Sequence, residues 1–211
     1  APRSGCRAYL AVWGGISLAP VLASKSTNLA SRFGGYEGRA LMKGDVLFSE
    51  APDQHFQRAG KIFKPEWRPS YTGDWLLRVL PGPQDQDFPE ESKRLFFDSS
   101  FTVSSQSDRT GIRLSGPAVH RKKDLGDSII SEGIVPGAIQ VPGDAQPIIL
   151  LVETVTGGYR KIATVISADL PLLGQVKPGE RVAFQEVPMQ EAMTALKVCE
   201  NYINMLKKTS G

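Results

Sequence analysis

The chain has 211 residues, of which 41% are hydrophobic and 22% charged, enough to bury a core as one domain or as two tightly joined halves. Its net charge of +3 is scattered and lacks the basic stripe with interleaved aromatics that nucleic-acid binding requires; the densest cluster is the HRKK run at 120–123. The two distant cysteines indicate neither a disulfide framework nor a zinc site, and no apolar run reaches the length of a membrane span.

The first third of the chain is predicted to consist of strands, turns and an irregular connection. Residues 6–12 alternate as a strand that Gly14 and Gly15 end. The glycine-rich segment 33–41 lacks the Gly-Lys-Ser/Thr of a P-loop, so it is not predicted to bind a nucleotide in that way. Residues 50–73 are rich in charge, proline and single aromatics, which indicates an irregular connection.

The rest of the chain is predicted to be mainly β with flanking helices. Its apolar runs have strand length and are bounded by glycine and proline, whereas two segments have helical signals. The predicted strands are residues 75–80, 101–104, 138–141, 148–152, 161–166 and 181–187, and the predicted helices are residues 89–97 and 188–206.

Three features of the sequence are candidates for function. Gln140 interrupts an apolar strand, so its amide either has structural partners or faces a cavity. The pair Gly157-Gly158, between the strands 148–152 and 161–166, predicts a hairpin tip with accessible amides. Residues 107–114 (SDRTGIRL) crowd an acid and two arginines around a glycine, and form either a surface ion pair or part of a site.

Several long motifs in order resemble one family over nearly the whole chain: SGCRAYLAVWGGI, FGGYEGRALMKGDVL, SDRTGIRLSGP, SEGIVPGAIQVPGDAQPIILL and TGGYRKIATVISADLPLLGQVKPGERVAF. The chain resembles allophanate hydrolase subunit 2, the KipA-like family. That family includes the C-subunit of bacterial ATP-dependent 5-oxoprolinase and resembles the C-terminal part of the carboxyltransferase domain of urea carboxylase. The resemblance implies a cyclophilin-like β-barrel and a single KipA-like domain over residues 1–211, truncated at its N-terminus.

The resemblance also implies which residues form a site. Arginine forks suit carboxylates, and backbone amides at glycines suit oxyanions. The implied catalytic residues are Glu132, Arg109 and Asp108. The implied substrate-binding residues match the same motifs and are Ser107, Arg113, Ser131, Gln140, Gly157, Gly158 and Tyr159. No metal site is implied.

Three functions from different classes follow from the resemblance. The first is a subunit of ATP-dependent 5-oxoprolinase or a related carboxyltransferase or amidohydrolase, a C–N bond hydrolase acting on a small carboxylate or amide in a cleft shared with a KipI-like partner. The second is a non-catalytic regulator that binds a KipI-like kinase inhibitor, and the third is the carboxyltransferase portion of urea amidolyase.

The same resemblance implies which partners and cofactors to expect. The implied partners are a KipI-like subunit, similar to the B-subunit of 5-oxoprolinase, and a LamB/YcsF-like subunit, with neither nucleic acid nor membrane. No cofactor is expected on this chain itself, whereas the complex is expected to use ATP and carboxybiotin. Because the sequence shows no signal peptide, we expect a cytoplasmic protein.

Overall fold

A computed structural model describes residues 5–51, 71 and 73–209. The chain divides into two compact units, one formed by Ala1–Arg7 with Ser70–Gly211 and the other by Ala8–Pro69. The irregular connection predicted at 50–73 lies almost entirely outside the described residues.

Strands dominate the described part of the larger unit, and six of them match the predicted strands to within a few residues. The strands are β1 Asp74–Pro81, β2 Ser100–Val103, β3 Gly111–Ser115, β4 Glu132–Gly133, β5 Ala138–Val141, β6 Ile148–Leu150, β7 Thr156–Gly157, β8 Arg160–Val165 and β9 Arg181–Glu186. The helices are α1 Glu90–Asp98, α2 Leu170–Leu173 and α3 Met189–Thr209, and a 3-10 turn covers Asp85–Asp87.

Seven of these strands form a closed barrel in the order β1-β8-β5-β6-β3-β2-β9. Neighbouring strands are antiparallel except for β1 and β9, which run parallel and close the barrel. The remaining strands, β4 and β7, pair only with each other in a two-stranded ribbon. The barrel confirms the predicted class, mainly β with flanking helices.

The core lies inside the barrel and under α1. In β1 the buried and exposed residues alternate, as expected for a strand with one face on the core, and Leu77 and Val79 are fully buried. The ring of Phe96 in α1 stacks on Phe184 of β9 at 4.5 Å and also meets Phe101 of β2 at 5.9 Å. Aromatic packing therefore fixes α1 against the barrel wall.

The register of four strands aligns polar residues across one face of the barrel. Arg113 of β3 pairs with Ile148 of β6, Ile148 pairs with Gln140 of β5, and Gln140 pairs with Lys161 of β8. Directly opposed residues in antiparallel strands point to the same side of a sheet. The barrel therefore presents Gln140 and Lys161 side by side.

The predicted hairpin tip at Gly157-Gly158 is wrong, because β5 lies between β6 and β8 and pairs with both of them. The glycines belong instead to the ribbon, in which Gly157 opposes Glu132. Neither has a positive φ. A Cβ on Gly157 would lie 2.4 Å from Ile134 Cδ1 and 2.6 Å from Gln140 Nε2, so the ends of both side chains would have to move to admit it.

The predicted strand at 6–12 is also wrong, since the structure assigns no strand to these residues. The backbone N–H groups of Cys6 and Arg7 both donate to the side-chain Oε1 of Gln175, at 3.0 and 3.1 Å. A side-chain acceptor therefore takes the place of a neighbouring strand for these two donors.

The smaller unit is built from turns and isolated bridges over its described residues. Arg39, in the glycine-rich segment, donates through Nη1 and Nη2 to both carboxylate oxygens of Asp45, at 2.7 and 2.9 Å. The Asp45 carboxylate also accepts from the backbone N–H of Met42 at 2.6 Å. These contacts lower the pKa of Asp45 to about 2. The contacts of Asp45 therefore hold this part of the chain in a fixed turn.

Candidate functional site

A buried lysine and a half-exposed glutamate form the centre of the site. Lys161 lies on β8 with its side chain 5% exposed, and its Nζ donates to Oε1 of Glu132 on β4. The Glu132 side chain is 43% exposed. The ammonium is therefore removed from water, whereas its carboxylate partner can still be reached from solvent.

Gln84, which precedes the 3-10 turn, holds both members of this pair. Its Nε2 donates to Glu132 Oε1 at 2.8 Å, and its Oε1 accepts from the backbone N–H of Lys161 at 3.1 Å. The chain can approach β8 this closely because residue 82 is glycine: a Cβ there would lie 2.1 Å from the carbonyl oxygen of Lys161. The Pro81-Gly82-Pro83 turn therefore positions Gln84.

Gln140 lies beside Lys161 and beneath the ribbon. It is 4% exposed, and its Nε2 donates to the backbone carbonyl of Tyr159 at 3.3 Å. Gly157 packs directly against this amide. The carbonyl of the next residue, Gly158, accepts from the backbone N–H of Ile129 at 2.7 Å. The glycine pair thus lets the ribbon close over two buried polar side chains.

Electrostatics keep Glu132 ionised. The hydrogen bond from Lys161, and then that from Gln84, lower the pKa of Glu132 below its ordinary value of 4.5. At neutral pH Glu132 is therefore a carboxylate. It can accept a proton but has none to donate, so its chemistry is that of a base or of an anion.

The structure brings six of the predicted site residues together around the ribbon. Glu132 and Gly157 lie in its strands, and Ser131 and Gly158 lie next to them. Gln140 lies beneath the ribbon, and Tyr159 is 41% exposed at its edge. The six are Ser131, Glu132, Gln140, Gly157, Gly158 and Tyr159.

Of the other four predicted residues, Ser107, Asp108 and Arg109 lie in the turn between β2 and β3, and Arg113 lies on β3 itself. The Asp108 Oδ1 accepts from the backbone N–H groups of Thr110 and Gly111, at 2.8 and 3.1 Å. The Ser107 hydroxyl accepts from the backbone N–H of Arg113 at 3.0 Å. Both side chains thereby shape the turn, as short polar side chains commonly do.

The two arginines, Arg109 and Arg113, remain at the surface. The Nη1 of Arg109 lies 3.7 Å from Oε1 of Glu153, with the Arg109 side chain 55% exposed. Arg113 is exposed on β3, three strands from Lys161, which corresponds to about 14 Å at ordinary strand spacing. The arginines therefore flank the Lys161 centre without contacting it.

One loop connects the two groups. The backbone carbonyl of Thr110 accepts from the N–H of Leu151 at 2.9 Å and from the hydroxyl of Thr154 at 3.0 Å. Residues 151–155 lead directly into β7 of the ribbon. The arginine turn and the ribbon are therefore tied to the same segment.

Sequence analysis missed Lys161 and Gln84. Lys161, like Gln140, is a polar residue within an apolar strand, and this pattern could have identified it. Gln84 carried no local signal, because its role depends on the contact of a turn with a strand 77 residues away.

Neither a metal-binding cluster nor a membrane-spanning helix occurs within the described residues. No group of three or more His, Cys, Asp or Glu side chains there could hold a metal ion. Within the same part of the chain, no helix combines the length and the apolar character needed to cross a bilayer.

Known proteins resemble the chain in both sequence and structure. It is 37% identical to the 5-oxoprolinase C-subunit of Escherichia coli over 206 residues, covering 97% of this chain and 64% of that protein. The C-subunit of Haemophilus influenzae is also 37% identical, with 98% and 64% covered. The structure of urea amidolyase from K. lactis superposes with a TM-score of 0.79 at 31% identity, covering 95% of this chain and 13% of that one.

The chain thus spans 64% of the length of the two bacterial relatives. A profile described as "Carboxyltransferase domain, subdomain A and B" matches residues 1–186, which is most of the chain. These matches confirm the resemblance found in the motifs. The barrel, the ribbon and the polar centre between them are therefore those of a member of the carboxyltransferase domain family, subdomains A and B.

Proposed function

We propose that the protein is a subunit of an ATP-dependent 5-oxoprolinase or of a related carboxyltransferase or amidohydrolase complex. It acts on a small carboxylate or amide, in a cleft completed by a KipI-like partner. The two bacterial relatives at 37% identity, both named as the C-subunit of 5-oxoprolinase, support the enzyme class.

The buried ammonium of Lys161 is the observation that carries this proposal. A lysine removed from water strongly favours a carboxylate beside it, because an unpaired buried charge is costly. The carboxylate that fills this position, Glu132, stands on a ribbon strand of only two residues and is half exposed. A substrate carboxylate can therefore replace Glu132 on Lys161 with little rearrangement.

The displaced Glu132 is then available as a base. Its pKa is low while it is paired, so it enters the reaction ionised. Next to a bound substrate it can take the proton from an attacking water or from an amide nitrogen. The backbone at Gly157 and Gly158 borders the substrate, and Lys161 binds its charge. Gln140 acts from beneath the ribbon, where its amide holds the carbonyl of Tyr159.

Arg109 and Arg113 have a secondary role in this scheme. Both are exposed cations on the flank of the centre, suited to attracting an anionic substrate toward it. Asp108 and Ser107 act by shaping the turn that holds the two arginines in place. Ser131 and Tyr159 border the opening of the cleft.

The partner is proposed to cover the ribbon. Apolar side chains next to it are unusually exposed: Ile130 is 92%, Val155 71% and Val135 59% exposed. Clustered exposed apolar residues mark interaction surfaces. A KipI-like subunit seated there would enclose Glu132, and a LamB/YcsF-like subunit would complete the complex. ATP and carboxybiotin are used by the complex, which we expect in the cytoplasm.

A second candidate is the carboxyltransferase portion of a urea amidolyase. The superposition on the K. lactis enzyme with a TM-score of 0.79 favours it. The two candidates differ in substrate, 5-oxoproline or a urea-derived amide, and would use the same centre. A third, a regulator that binds a KipI-like inhibitor, would use the partner surface without chemistry.

The test is reconstitution with the KipI-like and LamB/YcsF-like subunits, measuring ATP-dependent consumption of 5-oxoproline. We expect Glu132→Gln to lower kcat by about 100-fold or more without raising KM, because the base is lost and Lys161 no longer has a carboxylate that the substrate must displace. Since the pKa of Glu132 in the free protein lies below 4.5, kcat/KM of the unsubstituted complex should not fall through this group between neutral pH and about pH 5.5.

Two outcomes would contradict the proposal. A complex that forms but consumes neither 5-oxoproline nor a urea-derived amide would indicate the regulator. Full activity of Glu132→Gln would remove the proposed base. Glu50→Gln is the matched control, since the Glu50 side chain is 44% exposed and pairs with Lys25 in the smaller unit.

A further inference from the structure

Two side chains donate to the same carboxylate oxygen at the centre of the site. The Nζ of Lys161 and the Nε2 of Gln84 both donate to Oε1 of Glu132, the second at 2.8 Å. The two donors come from separate elements, since Lys161 lies on β8 and Gln84 precedes the 3-10 turn. A carboxylate that replaced Glu132 would therefore meet two donors and not Lys161 alone.

The other end of the Gln84 side chain fixes the orientation of its amide. Its Oε1 accepts from the backbone N–H of Lys161 at 3.1 Å. A backbone N–H can only donate, so a reversed amide would set two donors against each other there and would place an oxygen against the carboxylate. Nε2 must therefore face the position of Glu132, where Gln84 offers a donor and no acceptor.

The turn that carries Gln84 is anchored at both ends. At its start, the N–H of Gly82 donates to the carbonyl of Ile162 at 2.9 Å. At its end, the buried side chain of Arg160 donates through Nε to Oδ2 of Asp87 at 2.7 Å. The donor on Gln84 is thus positioned before a substrate arrives, so binding needs little further ordering of the protein.

The charge of the centre determines what can take the place of Glu132. Lys161 is 5% exposed, and a buried ammonium without a counter-charge is costly. Exchange of Glu132 for another carboxylate keeps this charge balanced and brings acceptors to both donors. A carboxamide in the same position carries no charge and would leave the ammonium unpaired.

We propose that Gln84 is a substrate-binding residue, which forms with Lys161 a two-donor clamp that selects a carboxylate over a carboxamide. This inference rests on the proposed function, because it takes the substrate carboxylate to occupy the position of Glu132. It also narrows that function. The group held at Lys161 is a carboxylate, and an amide that reacts lies elsewhere on the same substrate.

Isothermal titration calorimetry of the reconstituted complex with 5-oxoproline, without ATP, tests the clamp and needs no turnover. Gln84→Glu keeps an oxygen for the backbone N–H of Lys161 and replaces only the donor, so 5-oxoproline should bind at least about 30-fold more weakly. Gln175→Glu is the matched control, because the Gln175 Oε1 also accepts from backbone N–H groups, those of Cys6 and Arg7. This control should bind as the parent.

The carboxamide of 5-oxoproline provides a second arm that needs no variant. We expect the parent complex to bind it at least about 30-fold more weakly than 5-oxoproline itself. The clamp is overturned if the complex binds no 5-oxoproline, if the carboxamide binds as well as the carboxylate, or if Gln84→Glu keeps the parent affinity.

Failure of the proposed function would look different. A complex that binds 5-oxoproline through Gln84 but does not consume it with ATP would contradict that function and support the clamp. A complex that consumes 5-oxoproline with the same KM in the parent and in Gln84→Glu would support the function and overturn the clamp.

Discussion

At the scale of single residues, the site depends on close packing as much as on charge. Gly157 allows the ribbon to approach Gln140, and Gly82 allows Gln84 to approach the backbone of Lys161. At both glycines, the absence of a Cβ leaves room for a polar side chain to reach its hydrogen-bond partner. Neither glycine has a positive φ, so the reason for each lies in space and not in backbone conformation.

Gly157→Ala tests this packing. The added Cβ would lie 2.6 Å from Gln140 Nε2, so the amide must move and its hydrogen bond to Tyr159 must lengthen. We expect kcat/KM of the reconstituted complex to fall by about tenfold or more, since small displacements in a site cost rate. Gly133→Ala is the control: it lies in the same ribbon, and nothing is within 4 Å of its Cβ position. Equal activity of the two variants would show that the approach is unimportant.

At the scale of elements, the barrel follows from the sequence more directly than the site does. The strands at 75–80, 138–141 and 181–187 were predicted because each is an apolar run with clear ends. The ribbon was not predicted, because β4 and β7 have two residues each and their pairing depends on the positions of distant segments. The hairpin expected between 148–152 and 161–166 failed because β5, although earlier in the chain, inserts between them.

The residues of the site, like the strands, could be predicted from the sequence only in part. Gln140 was recognised because a polar residue in an apolar strand is visible in the sequence. Its neighbour Lys161 was included in a predicted strand but not selected, and Gln84 had no local feature to mark it. What the sequence could not provide is the register that places Gln140 opposite Lys161 and the turn that brings Gln84 to both.

The contribution of α1 to the barrel can be measured. Phe96 is fully buried and stacks on Phe184, so Phe96→Ala leaves a cavity and should lower the free energy of unfolding by about 3–5 kcal/mol. Leu95→Ala, the preceding residue in the same helix and 38% exposed, should cost less than about 1.5 kcal/mol. Urea denaturation followed by circular dichroism distinguishes the two. Similar midpoints would mean that α1 does not seal the core.

At the scale of the whole molecule, two regions of the barrel unit have different properties. One holds a buried lysine under a ribbon bordered by exposed apolar residues, which fits a cleft shared with another subunit. The other holds a cavity of about 540 Å³ that is lined by α1 and by residues 118 and 120–123. The 3-10 turn Asp85–Asp87 connects the two regions. Gln84, which precedes the turn, donates to Glu132, and the carbonyl of Asp87 accepts from the backbone N–H of Lys122.

The central claim is that Lys161 binds the carboxylate of the substrate. Lys161→Met keeps a side chain of similar length, and the half-exposed Glu132 can be solvated when its partner is lost, so the fold should survive. Lys177→Met is the control, because it removes a lysine that pairs with Glu180 elsewhere on the same unit.

The most direct measurement is kcat/KM for ATP-dependent consumption of 5-oxoproline by the reconstituted complex. We predict that Lys161→Met lowers kcat/KM by at least about 30-fold, chiefly through KM, while Lys177→Met stays within about twofold of the parent. A Lys161→Met complex with the KM and kcat of the parent would contradict the account.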